Sequence, residues 1–339
     1  MIAVGVDTHK DSHYAVALDQ VGQILDEFSV PATSVGYAEL QQRVEQLTDA
    51  GNLAFGIEGA GSWGAGLCQH LQHAGHSVVE VERPRRRDRR SGKSDRIDAL
   101  AAAKSVLTDE RVSTPRRRGI LTAIRALLIA RRSAVAERTR VLNQLQALNA
   151  TGPTGLRERV GEGTGKQLER RVLAMRARAN AELEERVAFA VMRDLAAHSR
   201  ALGADAKRYQ HQLAELISTL DNTLLDGAGI GPISAAKLLA CDPTRFKSEG
   251  AFARCNGTAP IPASSGKTVR YRLNPGGDRQ ANNAIHTIAI IRAKHQPETR
   301  AYLDRRIKEG KTRREALRSL KRHISRELYH RLTTIPLTS

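Results

Sequence analysis

The first part of the chain consists of short apolar segments that alternate with polar turns. The segments "IAVGVD", "SHYAVALD" and "GQILDEFSVPA" follow one another within residues 2–32, a pattern typical of β-strands. Helical spacing follows at 35–47 and near 63–74, and strand-like runs occupy 52–60 and 76–82. Three strands followed by alternating helices and strands predict a mixed α/β sheet, in a first domain over about residues 1–112.

The middle of the chain, residues 113–224, has helical periodicity. Residues 118–150 contain no proline, and apolar residues recur every seventh position at Leu121, Leu128, Val135 and Leu142. A second helical region is predicted from about 166 to 224, with apolar residues at Tyr209, Leu213, Leu216 and Leu220. Two long helices around the turn "NATGPTG" predict an antiparallel hairpin or a coiled coil, with the partner helix in this chain or in a second subunit.

The last segment, residues 225–339, is predicted to be mainly helical. It opens with "DGAGIGPISAAKLLA", in which Gly229 and Gly231 resemble the turn of a helix-hairpin-helix element. Such a turn lets backbone N–H groups at a helix N-terminus approach a phosphate. The alternative is a glycine-rich helix start that packs through small residues. A loop rich in Pro, Gly and Ser follows, and it carries Lys267, Arg270, Arg272 and Arg279.

Charge is distributed unevenly along the chain. The net charge is +18, yet residues 1–80 hold ten acids against Lys10 and Arg43. Residues 251–339 hold 19 Lys and Arg against six acids. This balance predicts that the first segment is an acidic module. The rest of the chain is predicted to carry a basic surface that binds a polyanion. Aromatic residues are only 4% of the chain, which argues against recognition of single strands mainly by base stacking.

Three features concern the compartment. The cysteines, Cys68, Cys241 and Cys255, are odd in number and have no metal-ligand spacing, as expected of a reduced protein. The N-terminus reaches an acid at position 7, which is not typical of a signal peptide. The longest uncharged run, residues 59–79, is rich in Gly, His, Gln and Ser, unlike a membrane span. We therefore expect a cytoplasmic protein without a membrane partner.

Four acids in the first domain form a candidate metal site. Asp7 and Glu58 end predicted strands, and Asp95 and Asp98 open a predicted helix behind Ser94, a suitable N-cap. Three helical positions separate the two aspartates by about 60°, so they share a helix face. Two carboxylates about 5 Å apart repel by roughly 3 kcal/mol at an effective dielectric of 20, so a cluster of four requires protons or cations. Oxygen-only ligands suit Mg²⁺ or Mn²⁺, and two such ions can assist phosphoryl transfer.

Simpler roles remain open for each acid, because Asp95 alone could favour a helix N-terminus and Asp7 alone could belong to a turn. A basic run stands immediately before Asp95 and would hold a phosphate backbone beside the metals, although it could also be a solvated loop. Its residues are Arg85, Arg86, Arg87, Arg89, Arg90 and Lys93.

Five motifs in this order resemble one family. They are "GVDTHK", "GIEGAGSWG", "GKSDRIDALAAAK", "GIGPISAAKLLA" and "APIPASSGKTVRYRLNPGGDRQANNAIH". They are similar to bacterial insertion-sequence transposases of the DEDD type, the IS110 family. The resemblance implies an RNase H-like domain of the RuvC kind over 1–112, a helical coiled coil over 113–224 and a C-terminal transposase domain over 225–339.

The same resemblance implies the chemistry. The metal-binding tetrad would be Asp7, Glu58, Asp95 and Asp98, and the nucleophile would be Ser265 before Gly266, with Ser264 as the alternative. The serine would form a covalent link to DNA, with Arg270, Arg272 or Arg279 offsetting charge. The implied partners are donor and target DNA, a structured guide RNA, and further copies of the chain in a dimer or tetramer.

Two other functions fit the residues. The four acids could serve a RuvC-like structure-specific nuclease in which water is the nucleophile. The acids could also be structural, in a basic nucleic-acid-binding protein that catalyses nothing.

Overall fold

The computed structural model describes residues 1–48, 52–82, 94–110, 112–221, 223–262, 271, 272, 274 and 276–335. It divides into two compact units, Met1–Arg117 and Arg118–Ser339. The predicted boundaries of three domains stay a prediction. Within the described ranges, no helix has both the length and the apolar content needed to cross a membrane.

A mixed sheet forms the centre of the first unit, as the sequence predicts. Its strands are β1 (Ile2–Thr8), β2 (Ser12–Leu18), β3 (Ile24–Pro31), β4 (Leu53–Glu58), β5 (Ser77–Val81) and β6 (Val112–Ser113). In the described residues their order is β3-β2-β1-β4-β5-β6. The central strand β1 pairs antiparallel with β2 and parallel with β4, and β4 pairs parallel with β5. This arrangement is compatible with an RNase H-like domain.

Helices cover the sheet on both faces. They are α1 (Ser34–Glu45), α2 (Ala65–His73) and α3 (Asp95–Thr108). The face towards α1 and α2 carries the larger core, in which Leu40, Phe55, Ile57 and Leu67 are buried. The face towards α3 is made of smaller residues, where Val16 and Leu18 pack against Ala99 and Ala103.

Two paired glycines allow α3 to lie very close to the sheet. Gly5 of β1 is opposite Gly56 of β4. A Cβ on Gly5 would lie 2.1 Å from both the Ala103 N and the Ala99 O, and a Cβ on Gly56 would lie 3.1 Å from the Ala102 O. The sequence "DALAAAK" therefore supplies the small residues that this approach needs, and the glycines fix where the first turn of α3 lies.

Gly5→Ala is expected to destabilise the protein by about 1–3 kcal/mol, because the added methyl group overpacks main-chain atoms that cannot move alone. Urea unfolding monitored by circular dichroism measures the change. Gly61→Ala is the matched control, since the atom nearest to its added Cβ is Glu80 Oε1 at 3.9 Å. Equal stability of the two variants would contradict the close packing of α3.

The second unit is mostly helical. Its helices are α4 (Ile120–Thr151), α5 (Thr154–Val160), α6 (Gly165–Ala174), α7 (Leu183–Leu220), α8 (Pro232–Ala240), α9 (Glu249–Cys255), α10 (Arg279–His295), α11 (Pro297–Lys308) and α12 (Arg313–Thr333). Two short strands, β7 (Ile261–Pro262) and β8 (Tyr271–Arg272), pair antiparallel. The helical region predicted from 166 to 224 is divided between α6 and α7.

The long helices α4 and α7 pack against each other in antiparallel directions. Arg131 Nη2 donates to Gln210 Oε1 at 3.4 Å, and further along α4 the Arg138 Nε donates to the Ser199 O at 3.1 Å. Within this chain the heptad positions differ in burial, because Leu121 is buried whereas Val135 is 41% exposed. One reason is that α4 changes neighbours along its length: Leu121 packs in the core with α8 and α10, and Leu145 packs with α5 and α6. A coiled coil stays a prediction.

Candidate active site

Asp7 and Glu58 lie at the same edge of the first unit's sheet. Val6 is opposite Ile57 in the parallel pair β1 and β4, so the carboxyl ends of both strands meet there. Asp7 is two positions after Gly5 and Glu58 two after Gly56, so both acids point to the face that α3 covers. Both are buried, at 6% and 7% exposure. The hydroxyl of Thr8 donates to the Glu58 O at 2.7 Å and ties the two strand ends together.

The first turn of α3 brings two more acids to this edge. Ser94 is the N-cap, as predicted, and its side chain accepts a hydrogen bond from the Ile97 N. Asp95 is exposed, whereas Asp98 is 7% exposed on the side of α3 that faces the sheet. Because the glycines hold α3 against β1 and β4, the helix acids are held close to Asp7.

His9 links the strand acid to the helix acid. Its Nε2 lies 3.1 Å from Asp7 Oδ2 and 3.1 Å from Asp95 Oδ1. One ligand atom from each of Asp7, His9 and Asp95 lies within 4.8 Å of the others, a group that could hold a metal ion. His9 is not among the residues predicted from the sequence, although the signal was present: in an extended chain a residue two positions after Asp7 points to the same face.

Burial raises the pKa of the Asp7 carboxyl; His9 opposes this, and the charges of Asp98 and Asp95 add to it. Asp98 is therefore close enough to repel Asp7. The Asp7 Oδ2 is buried and, despite its distance to His9, lacks a partner in hydrogen-bonding geometry. A buried carboxylate oxygen without a hydrogen bond, among further acids, suits a divalent cation as its missing partner.

Asp7→Asn is expected to raise the melting temperature of the metal-free protein at neutral pH, by about 4 °C for each kcal/mol gained. A raised pKa in the folded state means that Asp7 supports folding most below its ordinary value of 3.8, and that this support is lost as the pH rises through the raised value. The amide is never charged, so the gain should shrink towards low pH.

Thermal melts over a pH series, with and without Mg²⁺, measure both effects of this substitution. Mg²⁺ should stabilise the wild-type protein, by about 2.7 kcal/mol at a concentration one hundred times its Kd, and should stabilise the variant much less. A variant that is less stable without metal, or that responds to Mg²⁺ as the wild type does, would argue against this site.

Several predicted nucleic-acid contacts fall outside the described residues. These are Arg85, Arg86, Arg87, Arg89, Arg90, Lys93, Lys267 and Arg270, and the candidate nucleophiles Ser264 and Ser265 are outside as well. Arg272 and Arg279 are described and exposed in the second unit. Their roles stay predictions.

The two glycines of the predicted helix-hairpin-helix turn differ in their surroundings. Gly229 has a φ of +77°, and a Cβ there would lie 3.1 Å from the Ile288 O of α10. Gly231 is the N-cap of α8, and a Cβ there would meet open space. Gly229 therefore has a packing role, and Gly231 is the one whose backbone is open to a ligand. Phosphate binding by this turn stays a prediction.

Family models of known proteins match segments of both units. The family model of DEDD-type IS110 transposases, described as "Transposase", matches residues 4–150. The model described as "Transposase IS116/IS110/IS902 family" matches residues 221–304. The chain is 27% identical to the "Insertion element IS900 uncharacterized 42 kDa protein" of Mycobacterium paratuberculosis, over 94% of this chain and 92% of that protein.

Proposed function

Because the chain belongs to the IS110 family of transposases, we propose that it is an RNA-guided DNA recombinase that acts through a serine–DNA intermediate. The carboxylate cluster carries this proposal. Asp7 and Asp95 converge on His9, Asp98 lies close enough to raise the pKa of Asp7, and Glu58 ends the neighbouring strand. Such a cluster is suited to phosphoryl transfer in a protein with a net charge of +18.

The residues of the cluster would divide the work. Asp7 and Glu58 are fixed on paired strands, and Asp98 is fixed by the packing of α3, so their carboxylates need little reorganisation to hold Mg²⁺ or Mn²⁺. Bound metal, in two ions, would neutralise charge on the attacking and leaving oxygens. Asp95 is more exposed and would complete the ligand set on the solvent side. His9, whose Nε2 lies 3.1 Å from both carboxylates, would join Asp7 and Asp95 as a ligand.

The proposed nucleophile is the hydroxyl of Ser265. Its oxygen would form a bond to a DNA phosphorus while the bond from that phosphorus to a deoxyribose oxygen breaks. The serine proton is lost, and the departing deoxyribose oxygen gains a proton. The phosphoserine link keeps the bond energy for rejoining. Lys267, Arg270, Arg272 and Arg279 would offset phosphate charge, and Arg85, Arg86, Arg87, Arg89, Arg90 and Lys93 would hold the backbone near the tetrad.

The proposed assembly includes RNA and further copies of the chain. The basic second unit suits a structured guide RNA together with donor and target DNA. A dimer or tetramer would let the tetrad of one subunit act with the serine of another. A RuvC-like nuclease is the second candidate, because the same four acids could activate water instead of a serine.

The test is to incubate the purified protein and its co-purified RNA with labelled donor and target DNA and Mg²⁺. A covalent adduct on a serine peptide, followed by joined DNA, is the expected result. Free 3′-hydroxyl and 5′-phosphate ends without an adduct would overturn the serine mechanism and favour the nuclease.

A further inference from the structure

The second unit contains a basic pocket, distinct from the acid cluster. It has a volume of about 640 Å³ and lies between the turn from α11 to α12 and the chain around β7 and β8. Two acids, Glu309 and Glu315, are among its lining residues. Six cations line it, and they are Arg272, Arg306, Lys311, Arg318, Lys321 and Arg322.

The acids of this pocket are already engaged. Glu309 Oε2 lies 2.5 Å from Arg306 Nη1, and Glu315 Oε2 accepts hydrogen bonds from the main chain and hydroxyl of Thr312. Arg322 pairs with Glu249 at 3.1 Å. Among the described residues, the four remaining cations form no ion pair. Counting Glu309, Glu315 and Glu249, three carboxylates stand against the six cations, so the described residues leave the pocket with a surplus of positive charge.

Lys321 is the most buried of these cations, at 7% exposure. Its Nζ donates to Asn282 Oδ1 at 2.8 Å, a neutral acceptor. An ammonium group has three donors, so this single hydrogen bond leaves it short of partners. Burial lowers the pKa of Lys321, as expected for a cation away from water without an anion beside it. A buried lysine of this kind is costly unless a ligand supplies the missing charge.

A chain of hydrogen bonds through Asn282 and Asn256 holds Lys321 in position. Asn282 Nδ2 donates to the Asn256 O at 2.6 Å, and Asn256 Nδ2 donates to Ser325 Oγ at 2.9 Å. Asn256 and Ser325 are fully buried. Lys321 is thus fixed before any ligand arrives, which lowers the entropic cost of binding.

We propose that this pocket binds a backbone phosphate of the nucleic-acid substrate, with Lys321 as the buried contact and Arg318 and Lys311 beside it. The identity of the anion rests on the proposed function. The pocket is lined by Arg272 of β8, and in sequence β7 and β8 flank the segment that contains Ser265. A phosphate bound in this pocket would bring the nucleic-acid strand to the second unit, whose sequence contains the proposed nucleophile.

The test is the salt dependence of binding to a short labelled DNA duplex and, separately, to a labelled RNA strand. Lys321→Met keeps the length of the side chain and removes its charge. It should weaken binding about tenfold, the loss of one charge-assisted hydrogen bond. It should also reduce the slope of log K against log salt by about 0.9, as one lost phosphate contact predicts for duplex DNA. The nucleic acid, DNA or RNA, whose binding shows both effects is the one whose phosphate occupies the pocket.

Lys308→Met is the matched control, because it makes the same change in net charge at an exposed residue of α11 outside the pocket. Arg318→Met is a second pocket variant at a less buried position. If Lys321→Met does not fold, the salt dependence of binding by Arg318→Met tests the pocket in its place. If folded pocket variants keep the wild-type slope of log K against log salt, the pocket proposal is overturned and the proposed function is not affected. If the pocket variants lose slope but the wild-type protein forms no serine adduct, the serine mechanism is overturned and the pocket proposal stands.

Discussion

Asp98→Asn is expected to slow DNA strand cleavage on the order of a thousandfold. Asp98 is buried beside Asp7, and an amide in its place cannot supply negative charge to a divalent cation. Charge stabilisation by a bound metal contributes several kcal/mol to such reactions, and about 4 kcal/mol corresponds to a factor of a thousand. Single-turnover cleavage of labelled DNA in Mg²⁺ measures the effect on the chemical step.

Asp109→Asn is the matched control for this substitution. Asp109 is the C-cap of the same helix and has a φ of 51°, a left-handed conformation that asparagine also adopts readily. The control should keep the wild-type rate and melting temperature. A folded Asp98→Asn protein that cleaves DNA as fast as the control would remove Asp98 from the metal site.

Strand alternation and capping made much of the first unit predictable. Each apolar run before Asp7 and Glu58 became a strand, and the parallel pairing of β1 with β4 brought their ends together. Ser94 became the N-cap of the helix that carries Asp95 and Asp98. These features depend on short-range patterns, so they can be derived from neighbouring residues.

Features that depend on tertiary packing could not be derived in this way. The alanines of α3 have no strong periodicity, and their role becomes clear only when Gly5 and Gly56 are seen to face them. The different burial of Leu121 and Val135 on α4 also follows from packing, because the neighbours of this helix change along its length. In the sequence, Lys321 resembles the other cations of the basic C-terminal segment. Its burial and its hydrogen bond to Asn282 are visible only in the folded chain.

Ser265→Ala is expected to abolish the covalent protein–DNA adduct and all strand exchange. The substitution removes one hydroxyl group and leaves the net charge at +18, so the electrostatic part of nucleic-acid binding should not change. Denaturing gels of reactions with labelled DNA detect the adduct, and mass spectrometry of the linked peptide identifies the residue. Binding measured in parallel should equal that of the wild type.

Ser264→Ala is the natural comparison, because it removes the same group from the adjacent residue. It should keep the adduct. An adduct that survives in Ser265→Ala and disappears in Ser264→Ala would move the nucleophile by one position. Cleavage that continues in both variants, with free 3′-hydroxyl ends, would assign the attack to water, since neither alanine can form a bond to phosphorus. The acid cluster would then serve hydrolysis, and Asp98→Asn would slow it by a similar factor, because both mechanisms need the same metal ligands.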